Sequence, residues 1–250
     1  PLLPPRWPSA VFLVVRPVVD STISEASRLL AAGADHGLVV RADCQSAGRG
    51  RRGRTWVSPP GNLYCSLLAR PPIPAPAPLA TLTFVAALAV HQLVRAALPA
   101  ARTVALKWPN DVLVDGAKGS GILLEGQHGG AGPAVIIGVG INLASHPADA
   151  PYAVTDLAAG GGRLTVDGAL TALLGAFGPW YDRWVSAGFA PVRAAWLAAA
   201  GPLGTAIAVN QGAARHHGRF AGLDEQGGLL LETAPGFYMT IASGDVTVTE

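Results

Sequence analysis

The sequence predicts an α+β protein, a mixed β-sheet packed with helices, followed by a small C-terminal β-barrel. Through the first 200 residues, apolar runs of strand length alternate with longer helical patterns. From Gly201 the texture changes to short alternating segments divided by glycine, TAIAVN, HGRFAGL, GGLLLET and GDVTVTE. Half of the 250 residues are hydrophobic and only 14% are charged, which suits a folded chain with a sizeable core. The expected division is a main domain over residues 1–200 and an appendage over residues 201–250.

The elements follow in order. Val11 to Val15 reads as a strand. The segment DSTISEASRLLAAG has hydroxyl residues at a helix start, an apolar stripe and Gly33 as a stop, so it predicts a helix. Leu38 to Ala42 is a second strand and Asn62 to Ala69 a third, the latter followed by the stiff surface connection RPPIPAPAP. Leu79 to Leu98 is apolar nearly all round, which predicts a helix buried against a sheet. Val104 to Leu106, Val112 to Val114, Gly121 to Gly126 and Ala134 to Asn142 read as strands, the middle two forming a hairpin that turns at DGAK. Leu170 to Ala187 and Pro191 to Ala199 predict helices, with Trp180, Trp184 and Trp196 as core anchors.

Composition excludes several classes. A net charge of +2 gives no general affinity for polyanions, so anion binding must be local. Two cysteines, Cys44 and Cys65, form no disulfide framework and no metal spacing, and they read as reduced thiols in a cytoplasmic protein. PLLPPRWPSAVFLVV lacks the features of a signal peptide. Leu79 to Val90 is expected to be too short to span a bilayer, so no membrane role follows.

Three motifs carry the chemistry. AGRGRRGRTWVS (Ala47 to Ser58) concentrates Arg49, Arg51, Arg52 and Arg54 among Gly48, Gly50 and Gly53. Its G-x-G-x-x-G spacing is a weak dinucleotide signal, because TWVSPPGN supplies prolines where a helix should start. Glycines that admit a close anion, and guanidinium forks that grip phosphate or carboxylate, fit better. A nucleic-acid patch or a solvated turn are the lesser readings. Unneutralised, the four charges are expected to keep the loop mobile until an anion orders it.

LKWPNDVLVDGAKGSGILLEG (Leu106 to Gly126) holds both lysines of a chain whose other sixteen basic residues are arginine, Lys107 and Lys118. A compact ammonium suits phosphate oxygens as a point charge. Asn110 and Asp111 can serve a hard cation such as Mg2+, or can simply open a turn. GVGINL (Gly138 to Leu143) ends a buried strand on Asn142, one of four asparagines. It can complete a metal and phosphate shell with Asp111 or bind backbone, while Gly138 and Gly140 can admit a ligand or mark bulges. His216 and His217 lack metal spacing, and no nucleophile–histidine arrangement is legible.

With these motifs in view, the chain resembles the biotin protein ligases, also called biotin–[acetyl-CoA-carboxylase] ligases. The matching segments are DST, ADCQSAGRGRRGRTW, NLYCSL, KWPNDVLV, KGSGILLE and GVGINL, in the family's order and spacing. The resemblance runs from about Val11 to the end and implies an SH3-like C-terminal barrel. It also implies the short form, without the winged-helix domain that lets some members bind DNA.

The implied reaction has two steps: biotin and ATP form biotinyl-5′-AMP and pyrophosphate, then a carrier-domain lysine takes the biotin and releases AMP. By motif match, Ser21, Thr22, Gln45, Gly48, Arg49, Gly50, Arg51, Trp56, Lys118, Gly121, Gly138 and Gly140 would meet biotin. Arg49, Arg51, Arg54, Lys107, Asn110, Asp111, Lys118 and Asn142 would meet ATP, and Asp111 and Asn142 would hold Mg2+. Lys118, Arg51 and Asp111 would act in catalysis, with Lys118 foremost. The implied partner is a biotin carboxyl carrier domain, with no nucleic acid, no membrane and at most a weak homodimer. Ile23 stands where the family commonly has asparagine. A lipoate or octanoate ligase is the rival reading.

Overall fold

The computed structural model describes residues 6–127 and 132–249. A seven-stranded sheet forms from β1 (Phe12–Val19), β2 (Leu38–Gln45), β3 (Leu63–Ala69), β4 (Val104–Lys107), β5 (Asp111–Val114), β6 (Ala117–Gln127) and β7 (Ala134–Ile141), in the order β1-β2-β3-β7-β6-β5-β4. Only the β1–β2 pair is parallel. That pair needs a crossover, and α1 (Thr22–Ala31) supplies it. Ser21 caps α1 by accepting the Ile23 N–H, as the hydroxyl run led one to expect. β1 runs four residues beyond the predicted Val15 because its pairing with β2 continues to Val19↔Gln45. Pro17 is tolerated there on an edge strand.

The two faces of the sheet are covered unequally. Leu38, Val40, Leu68, Ala134 and Ile136 pack under α1 with Ile23 and Ala26. Val39, Cys65, Leu67, Ile137 and Val139 face the opposite way into the main core, with α2 (Leu82–Ala97), α3 (Val166–Ala187) and α4 (Ala190–Ala199). Period-2 alternation thus sends each strand's residues to two different partners. The residues from Leu79 to Ala97 do meet the length and apolarity of a membrane-crossing helix, contrary to the sequence expectation. What decides their place is burial: ten residues of α2 lie buried within the fold.

α3 starts four residues earlier than predicted, because Thr165 accepts the Gly168 N–H and sets its N-terminus. Trp184 and Trp196 are buried as predicted, and the Trp184 indole donates to Thr81 Oγ1 at 2.7 Å. Trp180 packs only partly buried against the same core.

The C-terminal strands β8 (Ala206–Gln211), β9 (Ala214–Leu223), β10 (Leu229–Ala234), β11 (Phe237–Ile241) and β12 (Asp245–Val248) form an antiparallel sheet in the order β11-β10-β9-β8-β12. This sheet shares the main core. Trp108, buried at the end of β4, donates its indole N–H to the Gly227 carbonyl at 2.9 Å. Ile207, Val209, Phe220, Leu229 and Ile241 continue the same apolar cluster.

Candidate active site

On the face that carries α1, glycines line the sheet next to the helix. Gly121 pairs with Gly140, and Leu123 with Gly138, so these glycines lie side by side on adjacent strands. A Cβ on Gly140 would sit 2.6 Å from the Trp56 indole, and one on Gly121 would sit 3.0 Å from it. A Cβ on Gly138 would meet Ile23 Cδ1 at 2.5 Å. The missing side chains let Trp56 and Ile23 pack directly on the sheet, beside the cavity.

A bulge brings the lysine to this floor. Along β5 and β6 the pairs run Val114↔Ala117 and Leu113↔Lys118, then shift to Val112↔Ser120 and Asp111↔Gly121. Gly119 is the extra residue. In a regular strand, positions 118 and 121 point to opposite faces; one inserted residue reverses that parity. Lys118 therefore rises beside Gly121 and Asp111. Its ammonium lies 2.7 Å from Asp111 Oδ1, with both side chains only 13% exposed. The Trp56 and Tyr152 rings each lie 5.5 Å from the same ammonium. Such faces hold a cation without neutralising it. Lys107 reaches the other Asp111 oxygen at 3.5 Å, so one carboxylate is shared by two lysines.

The opposite end of the cavity is uncharged. Gln45 Oε1 accepts the Thr22 backbone N–H at 2.8 Å and its hydroxyl at 3.3 Å, while Gln45 Nε2 donates to Ser58 Oγ at 2.9 Å. Ser66 Oγ donates to Thr22 Oγ1 at 2.8 Å. Ser21, Thr22, Ser58 and Ser66 are all buried. This is a connected polar shelf at the start of α1 and the end of β2.

Above both ends sits the arginine loop, which is a small hairpin. The Trp56 N–H donates to the Gly48 carbonyl at 2.9 Å, and the Gly50 N–H to the Arg54 carbonyl at 2.7 Å. Arg52 and Gly53 turn the chain at positive φ, 57° and 72°. Gly48 is required by the loop itself, since a Cβ there would lie 2.3 Å from the Trp56 carbonyl oxygen.

The loop's charges are not left unneutralised, as the sequence expectation assumed, because the protein supplies counter-charges. Arg49 forks onto Glu125 at 3.1 and 3.2 Å. Arg52 and Arg54 share Asp245. Arg51 turns inward to Asn110 Oδ1 and the Gly244 carbonyl, both at 3.4 Å. Burial pushes its guanidinium pKa below the ordinary value, with Asp245 opposing that shift.

Ser21, Thr22, Gln45, Arg49, Gly50, Arg51, Arg54, Trp56, Asn110, Lys118, Gly121, Gly138 and Gly140 therefore border one cavity. Gly48, Lys107 and Asp111 stand behind it: Gly48 in the hairpin, Asp111 through its ion pair to Lys118, and Lys107 through its own to Asp111. Asn142 faces an adjoining cavity, and its amide donates to the Thr155 carbonyl at 3.0 Å. Asp111 and Asn142 thus make separate contacts. Among the described residues no three His, Cys, Asp or Glu side chains gather to hold a metal. Sequence reasoning missed Tyr152, Ser58, Ser66, Glu125 and Asp245. Tyr152 lies on a segment with no helix or strand, and Asp245 meets the loop across 191 residues of chain. No local pattern announces either.

A mixed sheet whose glycine floor joins a neutral shelf to a cationic hairpin defines the class, and the chain belongs to the biotin/lipoate A/B protein ligase family, whose model matches residues 15–142. Within that family it is 43% identical, over 224 residues, to the biotin--[acetyl-CoA-carboxylase] ligase of Paracoccus denitrificans, covering 87% of this chain and 92% of that one. The bifunctional ligase/repressor BirA of Bacillus subtilis is 36% identical over 241 residues, 94% of this chain and 73% of that protein. The structure of biotin protein ligase from Aquifex aeolicus in complex with biotin and ATP matches at a TM-score of 0.79 and 27% identity, covering 95% of this chain and 99% of that one.

Proposed function

We propose that this protein is a biotin--[biotin carboxyl-carrier protein] ligase, acting in the cytoplasm on a carrier domain of a biotin-dependent carboxylase. The carrying observation is that one cavity has a neutral hydrogen-bonding end and a cationic end. Biotin has the same polarity, with an uncharged ureido head and a carboxylate tail. The Trp56 indole N–H supports a ligand here as well, being buried with no hydrogen-bond partner.

In the first step a biotin carboxylate oxygen attacks the α-phosphorus of ATP, and the bond to pyrophosphate breaks. In the second, the carrier lysine amine attacks the carbonyl carbon, and AMP leaves with the electron pair of the broken C–O bond. Ser21, Thr22 and Gln45 orient the head group over Gly138. Lys118 exchanges Asp111 for the reacting carboxyl and phosphate oxygens, held in position by Trp56 and Tyr152. Arg49 and Arg51 grip carboxylate and phosphate, Arg54 and Asn110 border the nucleotide, and Lys107, Asp111 and Asn142 stand behind it. Placing fixed positive charge where negative charge develops is the main source of acceleration in such transfers.

Mg2+ suits this sparse donor set only where the nucleotide phosphates contribute most of its ligands, with Asp111 giving a protein oxygen. Asp111 would hold it there, and it would supply positive charge to the phosphate oxygens. The polar shelf favours biotin over lipoate, because a ureido group can use the remaining hydrogen-bonding capacity of Ser21, Thr22 and Gln45 and a dithiolane cannot.

The test is incubation with biotin, ATP, Mg2+ and a carrier domain, read by mass. Calorimetry with biotin and with lipoate distinguishes the rival, and tight binding of lipoate alone would overturn the assignment.

A further inference from the structure

We propose that Asp245 is a clasp, a positioning residue through which the C-terminal sheet holds the arginine hairpin closed over the cavity. Its two carboxylate oxygens are divided between two arginines: Oδ1 accepts from Arg54 at 2.7 Å and Oδ2 from Arg52 at 3.1 Å. The backbone beside it joins in, since the Gly244 carbonyl accepts from Arg51 and the Asn210 carbonyl from Arg52. Among the described residues, Asp245 makes no other side-chain hydrogen bond, so the β12–β8 pairing does not depend on its carboxylate.

The turn that presents Asp245 is itself held tightly. A Cβ on Gly244 would lie 2.5 Å from Val209 Cγ1, which sets the turn directly against β8. On the other side, Arg52 adopts the left-handed region at φ 57° and ψ 37°. A residue with a side chain persists there only where tertiary contacts over-determine it. The contacts of Arg52 to Asp245 and Asn210 supply that constraint.

Three of the loop's four arginines therefore divide their work. Arg52 and Arg54 latch the hairpin to a carboxylate of the protein, leaving Arg51 turned inward for the ligand. Substrates enter and products leave only when the latch parts, so Asp245 sets how long an activated acid is retained. That last consequence rests on the ligase reading. The latch itself does not.

The experiment is amide hydrogen exchange of the ligand-free protein, read at the hairpin, with Asp245→Asn and Asp245→Glu. Two partly exposed ion pairs are modest individually, so losing both should speed exchange at Gly50 and Trp56 about fivefold, while the sheet strands keep their rates. Glu should restore protection to within about twofold. Combining Asp245→Asn with Arg52→Ala and Arg54→Ala should add little to the arginine changes alone.

Unchanged hairpin exchange in Asp245→Asn, or full additivity with the arginine changes, would overturn the clasp. Release of biotinyl-AMP from preloaded enzyme should quicken in parallel. Should the wild-type protein form no adenylate, the ligase reading fails while the exchange measurement still decides the clasp.

Discussion

At one end of the cavity, Thr22, Gln45, Ser58 and Ser66 form a chain of neutral hydrogen bonds anchored on buried strands and a helix cap. At the other, Arg49, Arg52 and Arg54 hold a hairpin through ion pairs that are between 29% and 45% exposed. The shelf is interlocked, because Thr22, Gln45 and Ser58 each bond to more than one neighbour in a buried setting. The hairpin is exchangeable, because its charges can return to water or move to a ligand at little cost. A ligase of this kind needs both properties. Recognition of an uncharged head group calls for fixed donors and acceptors, and entry of a charged nucleotide calls for a lid that can part.

The hardest test of this contrast is Lys118→Ala, which removes the cation where the two ends meet. Adenylate formation, read as pyrophosphate release, should fall by about a thousandfold or more, with the fold intact by circular dichroism. Near-normal release would refute the role assigned to Lys118. Next is Gly48→Ala, whose Cβ would collide with the Trp56 carbonyl at 2.3 Å. Overpacking of this kind costs about 1–3 kcal/mol, and here it should appear as an opened hairpin and leaking adenylate, not as a loss of head-group recognition. Bystander lysine labelling no greater than wild type would break the distinction.

Gln45→Leu tests the interlocked end. It strands the Thr22 N–H and removes the donor to Ser58 Oγ, which still donates to the Trp56 carbonyl, and should destabilise the protein by about 1–3 kcal/mol. Biotin affinity should drop in calorimetry, and hairpin exchange should change far less than affinity. Raising salt from 0.1 to 1 M gives a smaller effect of the opposite kind, because screening weakens exposed ion pairs and spares buried neutral bonds. Hairpin exchange should then rise about twofold while Gln45-dependent affinity stays constant.

The smallest effect concerns Asp20, which borders the shelf. Arg28 and the Ser21 N–H lower its pKa to about 2 from the ordinary 3.8. A depressed folded-state pKa adds stability above the unfolded value, and that stability is lost as pH falls from about 4 toward 2. The side chain is 47% exposed, so the contribution is at most about 1 kcal/mol. Asp20→Asn should flatten that part of the acid denaturation curve.

Much of the molecule is legible in its residues because the governing rules are local. Apolar runs of strand length locate β2, β3 and β7, and the hydroxyl run locates the start of α1. The turn in DGAK is read correctly, since Asp115 and Gly116 both take positive φ there. Motif order likewise brings out Lys118, Arg51 and Gln45, which border one cavity. The elements misjudged include β1, whose length is set by its register with β2, and α3, whose start is set by the Thr165 cap.

What composition, periodicity and motif spacing determined by themselves is the α+β class, the change of texture at Gly201 and the residues that converge on the site. Only the tertiary structure decided how those residues work together. The single extra residue at Gly119 reverses strand parity and turns Lys118 toward Gly121, a consequence of pairing register that no one strand contains. Trp56 finds its floor on glycines from two other strands. The arginines find Asp245 more than 190 residues away. Charge and hydrogen-bonding capacity are written in each side chain, but a partner brought close by folding is a property of the whole chain.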